Sequence, residues 1–123
     1  VTAANTDKTL VTGAAALIYT APTDGALVTG ILAMPLGTNV ASVARLFLNN
    51  GGVLTTASNN AMISQISLPA TTNTEVAALT PLWIPIPRLM QDLKATYRLY
   101  ITIGTAVAAG WQFTAAASRW ATV

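Results

Sequence analysis

Four carboxylates, Asp7, Asp24, Glu75 and Asp92, are the residues of this chain best suited to acid–base work, because it contains no histidine and no cysteine. That excludes imidazole general bases, thiol nucleophiles and the usual nitrogen and sulfur metal ligands. A glycosidase would need two carboxylates converging across one sugar. Asp7 falls in a segment that reads as a tail, and Asp24 in the turn Pro22-Thr23-Asp24-Gly25. Glu75 and Asp92 fall in loops, so all four read as solvated loop carboxylates. Calcium needs several acidic or amide oxygens at close spacing. The pairs Asn49-Asn50 and Asn59-Asn60 offer amides without a nearby carboxylate. The glycine-bounded stretch from Gly104 to Gly110 superficially resembles a phosphate loop. It lacks the terminal Gly-Lys-Ser/Thr and leads into a strand, so it reads as a β–β connection. No serine or threonine has a visible activating base. The expectation is a chain with no catalytic residue, no cofactor and no metal site: not an enzyme.

The three tryptophans point to a different kind of chemistry. Trp111, next to Phe113, reads as core. Trp83 lies among prolines, and Trp120 stands beside Arg119. Aromatics and arginine are enriched at the buried centres of protein interfaces. Trp83, Arg119 and Trp120 are therefore the candidate interface residues, the alternative being that the two tryptophans cap the core.

Composition favours that direction. The chain has 123 residues, enough for one domain with a real core and no staples. Its hydrophobic fraction is 53% but its charged fraction only 8%, against a usual figure of about 25%. Such a surface has few solubility devices, which suits a protein covered by neighbours better than a solitary monomer. The net charge is +2, from six scattered cations and four anions. Phosphate binding wants clustered Lys and Arg, so no nucleic-acid partner is expected. No apolar run approaches the roughly 18 residues of a membrane span, and Val1–Leu10 has no signal-peptide pattern. The expectation is a soluble chain made in a cytoplasm, without membrane contact.

The elements that must position these residues are strands. Short runs of Thr, Val, Ile and aromatics are punctuated by turn residues, the pattern of a sandwich or barrel. Strands are expected over 14–20, 26–36, 40–49, 62–68, 97–103 and 111–121. Residues 26–36 are apolar on both parities. In 62–68, Met62, Ile66 and Leu68 share one face. In 97–103, Tyr97, Leu99, Ile101 and Ile103 face one way, and Arg98, Tyr100 and Thr102 the other, outside the main core or at a subunit contact. Asn50-Gly51-Gly52 is a hairpin-type turn. Residues 87–95 offer the best helical pattern, a turn or two at most. Residues 1–12 read as a flexible N-terminal arm and 13–123 as a single β-sandwich domain.

Prolines 81, 85 and 87 share one parity. In a strand they would all lack donors on one lateral side, while Leu82, Ile84 and Ile86 keep theirs on the other. That describes an edge strand paired on one side only. A polyproline-like loop is the alternative.

The whole resembles the small decoration, or cement, proteins of tailed-bacteriophage capsids. The likeness rests on Ala21-Pro22-Thr23-Asp24-Gly25, on Gly37-Thr38-Asn39 through Arg45-Leu46-Phe47-Leu48-Asn49-Asn50-Gly51, on Leu68-Pro69-Ala70-Thr71-Thr72, on Tyr97-Arg98-Leu99, and on Gly104 to Trp111. It implies an all-β antiparallel two-sheet sandwich, jelly-roll-like, with seven or eight strands. It also implies self-association into a dimer or trimer and attachment to the major capsid protein on the outer surface of a virion assembled in a bacterial cytoplasm. The alternative on the same fold is a receptor- or glycan-binding tail or baseplate module. No contact residues carry over from the resemblance.

Overall fold

The structure, a computed structural model, describes residues 1–119, Arg119 by its backbone only. Eight strands form two antiparallel sheets: β1 (Ala16–Thr20), β2 (Ala26–Pro35), β3 (Ser42–Asn49), β4 (Asn60–Leu68), β5 (Leu82–Pro85), β6 (Asp92–Leu93), β7 (Arg98–Ile103) and β8 (Trp111–Arg119). Sheet A runs β1-β7-β3-β4. Sheet B is built around β2, with β8 along one side. Short β5 and β6 share the other side, opposite Gly30–Ala33 and Ala26–Leu27. Among the described residues the only helical turns are 3-10 turns at Ala57–Asn59 and Arg88–Met90. Strand spacing points to a sandwich or a barrel and the resemblance implies two sheets; an all-β fold of two antiparallel sheets is what forms. The weak helical pattern at 87–95 resolves into one 3-10 turn followed by β6, a strand too short to read from sequence.

The core lies between the sheets. Ala44, Leu46, Leu99, Ile101 and Ile103 of sheet A meet Val28, Ile31, Ala33, Ile84 and Trp111 of sheet B, all of them buried. The clean alternation of β7 puts Leu99, Ile101 and Ile103 inward, as its period of two demands. Two bulges explain where parity reasoning and structure part. In β2 the register shifts between Val28 and Gly30. Ala26 and Val28 face inward before the shift, and Ile31 and Ala33 after it. One strand therefore buries apolar residues on both parities. In β4 an extra residue, Ile63, stands between the pairs Leu46↔Ser64 and Phe47↔Met62. Met62 is consequently exposed, on the face opposite Ile66, and Ile63 packs on the core. This corrects the expectation that Met62 and Ile66 share a side.

The far face of sheet A is covered by the chain itself. Residues 1–12, expected as a flexible arm, lie against the body. Val1 exchanges backbone hydrogen bonds with Trp111, and Val107 donates to the Thr2 carbonyl. Ala4 pairs in parallel with Ile103 at the end of β7. Buried Asn5 donates to the carbonyls of Thr12 and Ala14 and so closes a loop over residues 6–13. Leu10 at the tip, with φ of 63°, drops onto Phe47 and Tyr100 in a second small cluster. Tyr100 and Thr102 are thus outside the main core, as β7 alternation predicts, but both are buried, Tyr100 against Leu10 of this loop.

Every passage of the chain between sheets at one end meets at Asn39. These passages are β2 to β3, β4 to β5 and β7 to β8. The Asn39 side chain is buried. Its Nδ2 donates to the carbonyls of Gly37 (3.2 Å) and Gly110 (3.1 Å) and to Thr71 Oγ1 (3.3 Å). Its Oδ1 accepts from the amides of Ala109 (3.0 Å) and Gly110 (2.8 Å). Its backbone exchanges a pair of hydrogen bonds with Thr71. Replacing this side chain leaves the amides of Ala109 and Gly110 without their acceptor. Asn39→Ala is expected to lower stability by about 2–4 kcal/mol in denaturant unfolding. An exposed amide such as Asn73→Ala should stay within about 0.5 kcal/mol.

Candidate functional site

Among the candidate interface residues, Trp83 is the one whose side chain the structure places. Among the described residues strand β5 pairs only with β2, in the register Leu82↔Ala33, Trp83↔Leu32, Ile84↔Ile31 and Pro85↔Gly30. Ile86 continues the contact by donating to the Thr29 carbonyl. Burial alternates cleanly along the segment: Ile84 and Ile86 are buried, whereas Pro81, Trp83, Pro85 and Pro87 are exposed. The edge-strand expectation from proline parity is therefore met. The prolines have no N–H to offer on the open side, which stops another strand from adding there.

Trp83 lies on the outer face of sheet B and is 47% exposed. Directly across from it is Leu32, 42% exposed, and two residues further along β2 is Met34, 38% exposed. The Trp83 ring also lies over Gly30. A Cβ added to Gly30 would stand 2.6 Å from ring atom Cε2 and 2.8 Å from the Ile84 carbonyl oxygen. The glycine is thus what lets the indole lie flat against the sheet instead of standing in solvent. Pro85, Gln112 and Thr114 complete this face. The segments that build it, 29–35, 82–85 and 112–116, contain no charged residue. The result is an apolar, uncharged surface on a sheet whose nearer edge is blocked. Contiguous exposed apolar surface is found at protein, membrane and ligand contacts.

The other two candidates do not join it. Arg119 pairs by its backbone with Ala26, at the opposite end of β2 from Leu32. Six residues of strand place that point roughly 20 Å away. Its side chain and all of Trp120 lie outside the described residues. Trp111, expected in the core, is fully buried.

The residues with catalytic potential are occupied elsewhere. Asp7 accepts hydrogen bonds from Thr9 Oγ1 (2.6 Å) and Thr9 N (2.7 Å), and from Thr12 N (2.8 Å) and Thr12 Oγ1 (2.9 Å). These bonds, with Thr9 first, hold its carboxyl well below the usual carboxylate range. Asp24 sits in the turn closed by Gly25 N donating to the Pro22 carbonyl. Glu75 is exposed in the connection from β4 to β5, and Asp92 pairs across from Leu27. In the 104–110 loop the amides of Gly104, Thr105, Val107, Ala109 and Gly110 donate to Val43, Ser42, Thr2 and Asn39 rather than standing open for a phosphate. The paired asparagines rivet the β3–β4 connection. Asn49 donates to Asn60 Oδ1 (2.7 Å), Asn50 to Asn59 Oδ1 (3.2 Å), and Asn60 to the Leu54 carbonyl (2.8 Å). Among the described residues no group of three or more His, Cys, Asp or Glu could hold a metal ion. A shallow cleft lined by Val1, Thr2, Ala3 and Ala14 to Ala16 contains no titratable side chain.

Sequence reasoning named Trp83 but missed Leu32, Met34 and Gly30. The signal was present: β2 is apolar on both parities, which one buried face does not explain. No family model, no curated protein and no solved structure matches the chain.

Two outcomes are expected. Gly30→Ala should lower stability by about 1–3 kcal/mol, because the new methyl displaces the indole, and tryptophan fluorescence should report a more solvated ring. Acidification should open the 7–12 turn. The depressed carboxyl contributes fully above the ordinary carboxylate range, and its contribution is lost as pH falls below that range toward the folded value. Amide exchange at Thr9 and Thr12, corrected for intrinsic pH dependence, should accelerate there, and in Asp7→Asn this response should vanish.

Proposed function

We propose that this chain is a decoration, or cement, protein of a tailed-bacteriophage capsid, binding the outer surface of the major capsid protein shell and stabilising it. The observation that carries the reading is the uncharged apolar face of sheet B around Trp83, Leu32 and Met34. A small sandwich that exposes such a face, and spends only 8% of its residues on charge, has the surface of a subunit that works covered. The mechanism is mechanical. Seated at a junction between capsid subunits, the face buries area that internal pressure would have to expose before the shell could open. The chain acts as a homo-oligomer on the virion, is made in the host cytoplasm, and carries out no chemistry. Kinship with the jelly-roll-like cement proteins belongs to the same proposal.

The test is cosedimentation of the purified protein with capsid shells, together with electron microscopy of decorated particles. Copies covering the lattice are the expected result. Copies confined to the tail would replace this reading with a receptor- or glycan-binding module, and no association with virions would remove it. Trp83→Ala should weaken shell binding by more than about 2 kcal/mol. Because the ring is only half-buried in the isolated chain, the same change should cost about 1–2 kcal/mol of its folding stability.

A further inference from the structure

Each sheet of this sandwich ends in strands with one unpaired side, and the chain treats those edges unequally. At the edge of sheet A, β1 carries an extra residue, Ile18, between the pairs Leu17↔Tyr100 and Tyr19↔Leu99. The other edge, β4, carries Ile63 in the same way. In sheet B, β5 is flanked and interrupted by prolines, and β6 is two residues long. Bulges, prolines and short length are the devices that prevent an edge from pairing with another chain. The remaining edge, β8, has none of them. It is nine residues long and free of proline, and the bulge in its ladder with β2 falls on β2.

The backbone groups on the open side of β8 can be identified. Trp111 exchanges hydrogen bonds with Val1, so its N–H and C=O point away from β2. In an antiparallel strand the groups of Phe113, Ala115 and Ala117 then point the same way. Among the described residues they have no backbone partner. Their side chains are small beyond Phe113, and Phe113 and Ala115 are only half-buried against the core. Ala16 and Ile18 of β1 are half-buried too, and β1 approaches β8. The open ladder thus borders an apolar seam that the chain leaves partly uncovered.

We propose that β8 pairs antiparallel with β8 of a second copy, in the register that sets Ala115 opposite Ala115 and Phe113 opposite Ala117, joining two B sheets into one continuous sheet. The occupant follows from the groups on offer: a row of unpaired N–H and C=O asks for another extended strand. An antiparallel pairing about Ala115 is self-complementary, and its hydrogen-bonded pairs, Ala115 with Ala115 and Phe113 with Ala117, stop short of Trp111, where Val1 already holds the open side and Arg119 of the second copy must turn away. It places each Phe113 ring beside a small Ala117. With β5 blocked on the far side, such pairing closes at two copies and does not grow into a fibre. The inference is independent of the capsid reading, since it concerns an edge and not the Trp83 face.

The test uses the full chain and three variants. Sedimentation equilibrium of the unaltered protein should show a dimer that dissociates on dilution. Ala115→Pro removes an N–H from the open side and none from the ladder with β2, so the fold should persist. Because the change occurs twice in the dimer, association should weaken about 100-fold. Ala117→Lys, at an exposed position, should do likewise by placing a charge on the seam, and it serves if the proline variant does not fold. The chain has no cysteine of its own. Ala115→Cys should therefore cross-link cleanly to a covalent dimer under mild oxidation, the facing Cα atoms being about 5.5 Å apart in such a pair. A protein that stays monomeric up to about 1 mM overturns the proposal. So does a dimer that both edge variants leave intact, or one in which Ala115→Cys does not cross-link.

Discussion

The fold hangs on one buried amide. A two-sheet sandwich must carry its chain repeatedly from one layer to the other, and each crossing leaves backbone groups that no ladder satisfies. Here the crossings at one end share a single side chain, Asn39, which donates and accepts at once because an amide carries both functions. At the other end two crossings satisfy each other directly. Ala21 donates to the Tyr97 carbonyl, and Thr96 donates to the Ala21 carbonyl. With both ends tied, the relative placement of the sheets is fixed, and so are the faces they present.

Those faces are handled in opposite ways. Sheet A has its outer side roofed by residues 6–13, where a loop closed by Asn5 and stiffened by Asp7 lays Leu10 over Phe47 and Tyr100. Among the described residues, sheet B has no such roof. Its outer side shows Trp83, Leu32 and Met34, and the chain goes no further than setting the indole flat on a glycine. The cover on sheet A is partial, because Leu17 and Met62 stay exposed beside the buried Tyr100 and Phe47. The low charge content fits the outer side of sheet B, whose segments 29–35, 82–85 and 112–116 carry no ion.

The sequence was legible where a single period or a single residue type carries the information. The period of two in 98–103 put Leu99, Ile101 and Ile103 inward, and the parity of Pro81, Pro85 and Pro87 offered an edge strand or a polyproline-like loop, of which the edge strand forms. Bulges broke this logic. An extra residue flips every side chain beyond it, and nothing in the composition around Thr29 or Ile63 announces one. Position in three dimensions was equally hidden. Gly37-Thr38-Asn39 read correctly as a turn, yet a turn asparagine in solvent and one tying three crossings have the same letters around them. The N-terminal segment read as polar and therefore loose. Its order comes from tertiary partners, Ile103, Trp111 and Phe47, that lie far along the chain.

Strand β2 has a temporal consequence. Its partners are β5, β6 and β8, which are drawn from residues 82–119, so the central strand of one layer is made early and completed last. The β3–β4 pair needs only a short loop and can close while the chain is still growing. The second layer cannot assemble until nearly the whole chain is available, and until then Val28, Ile31, Leu32 and Met34 have no sheet to enter. Topologies so rich in distant pairings fold slowly, on the order of milliseconds to seconds. For this molecule the hazardous interval is the wait of one apolar strand for its neighbours, and the rate at which β8 arrives sets how long that exposure lasts.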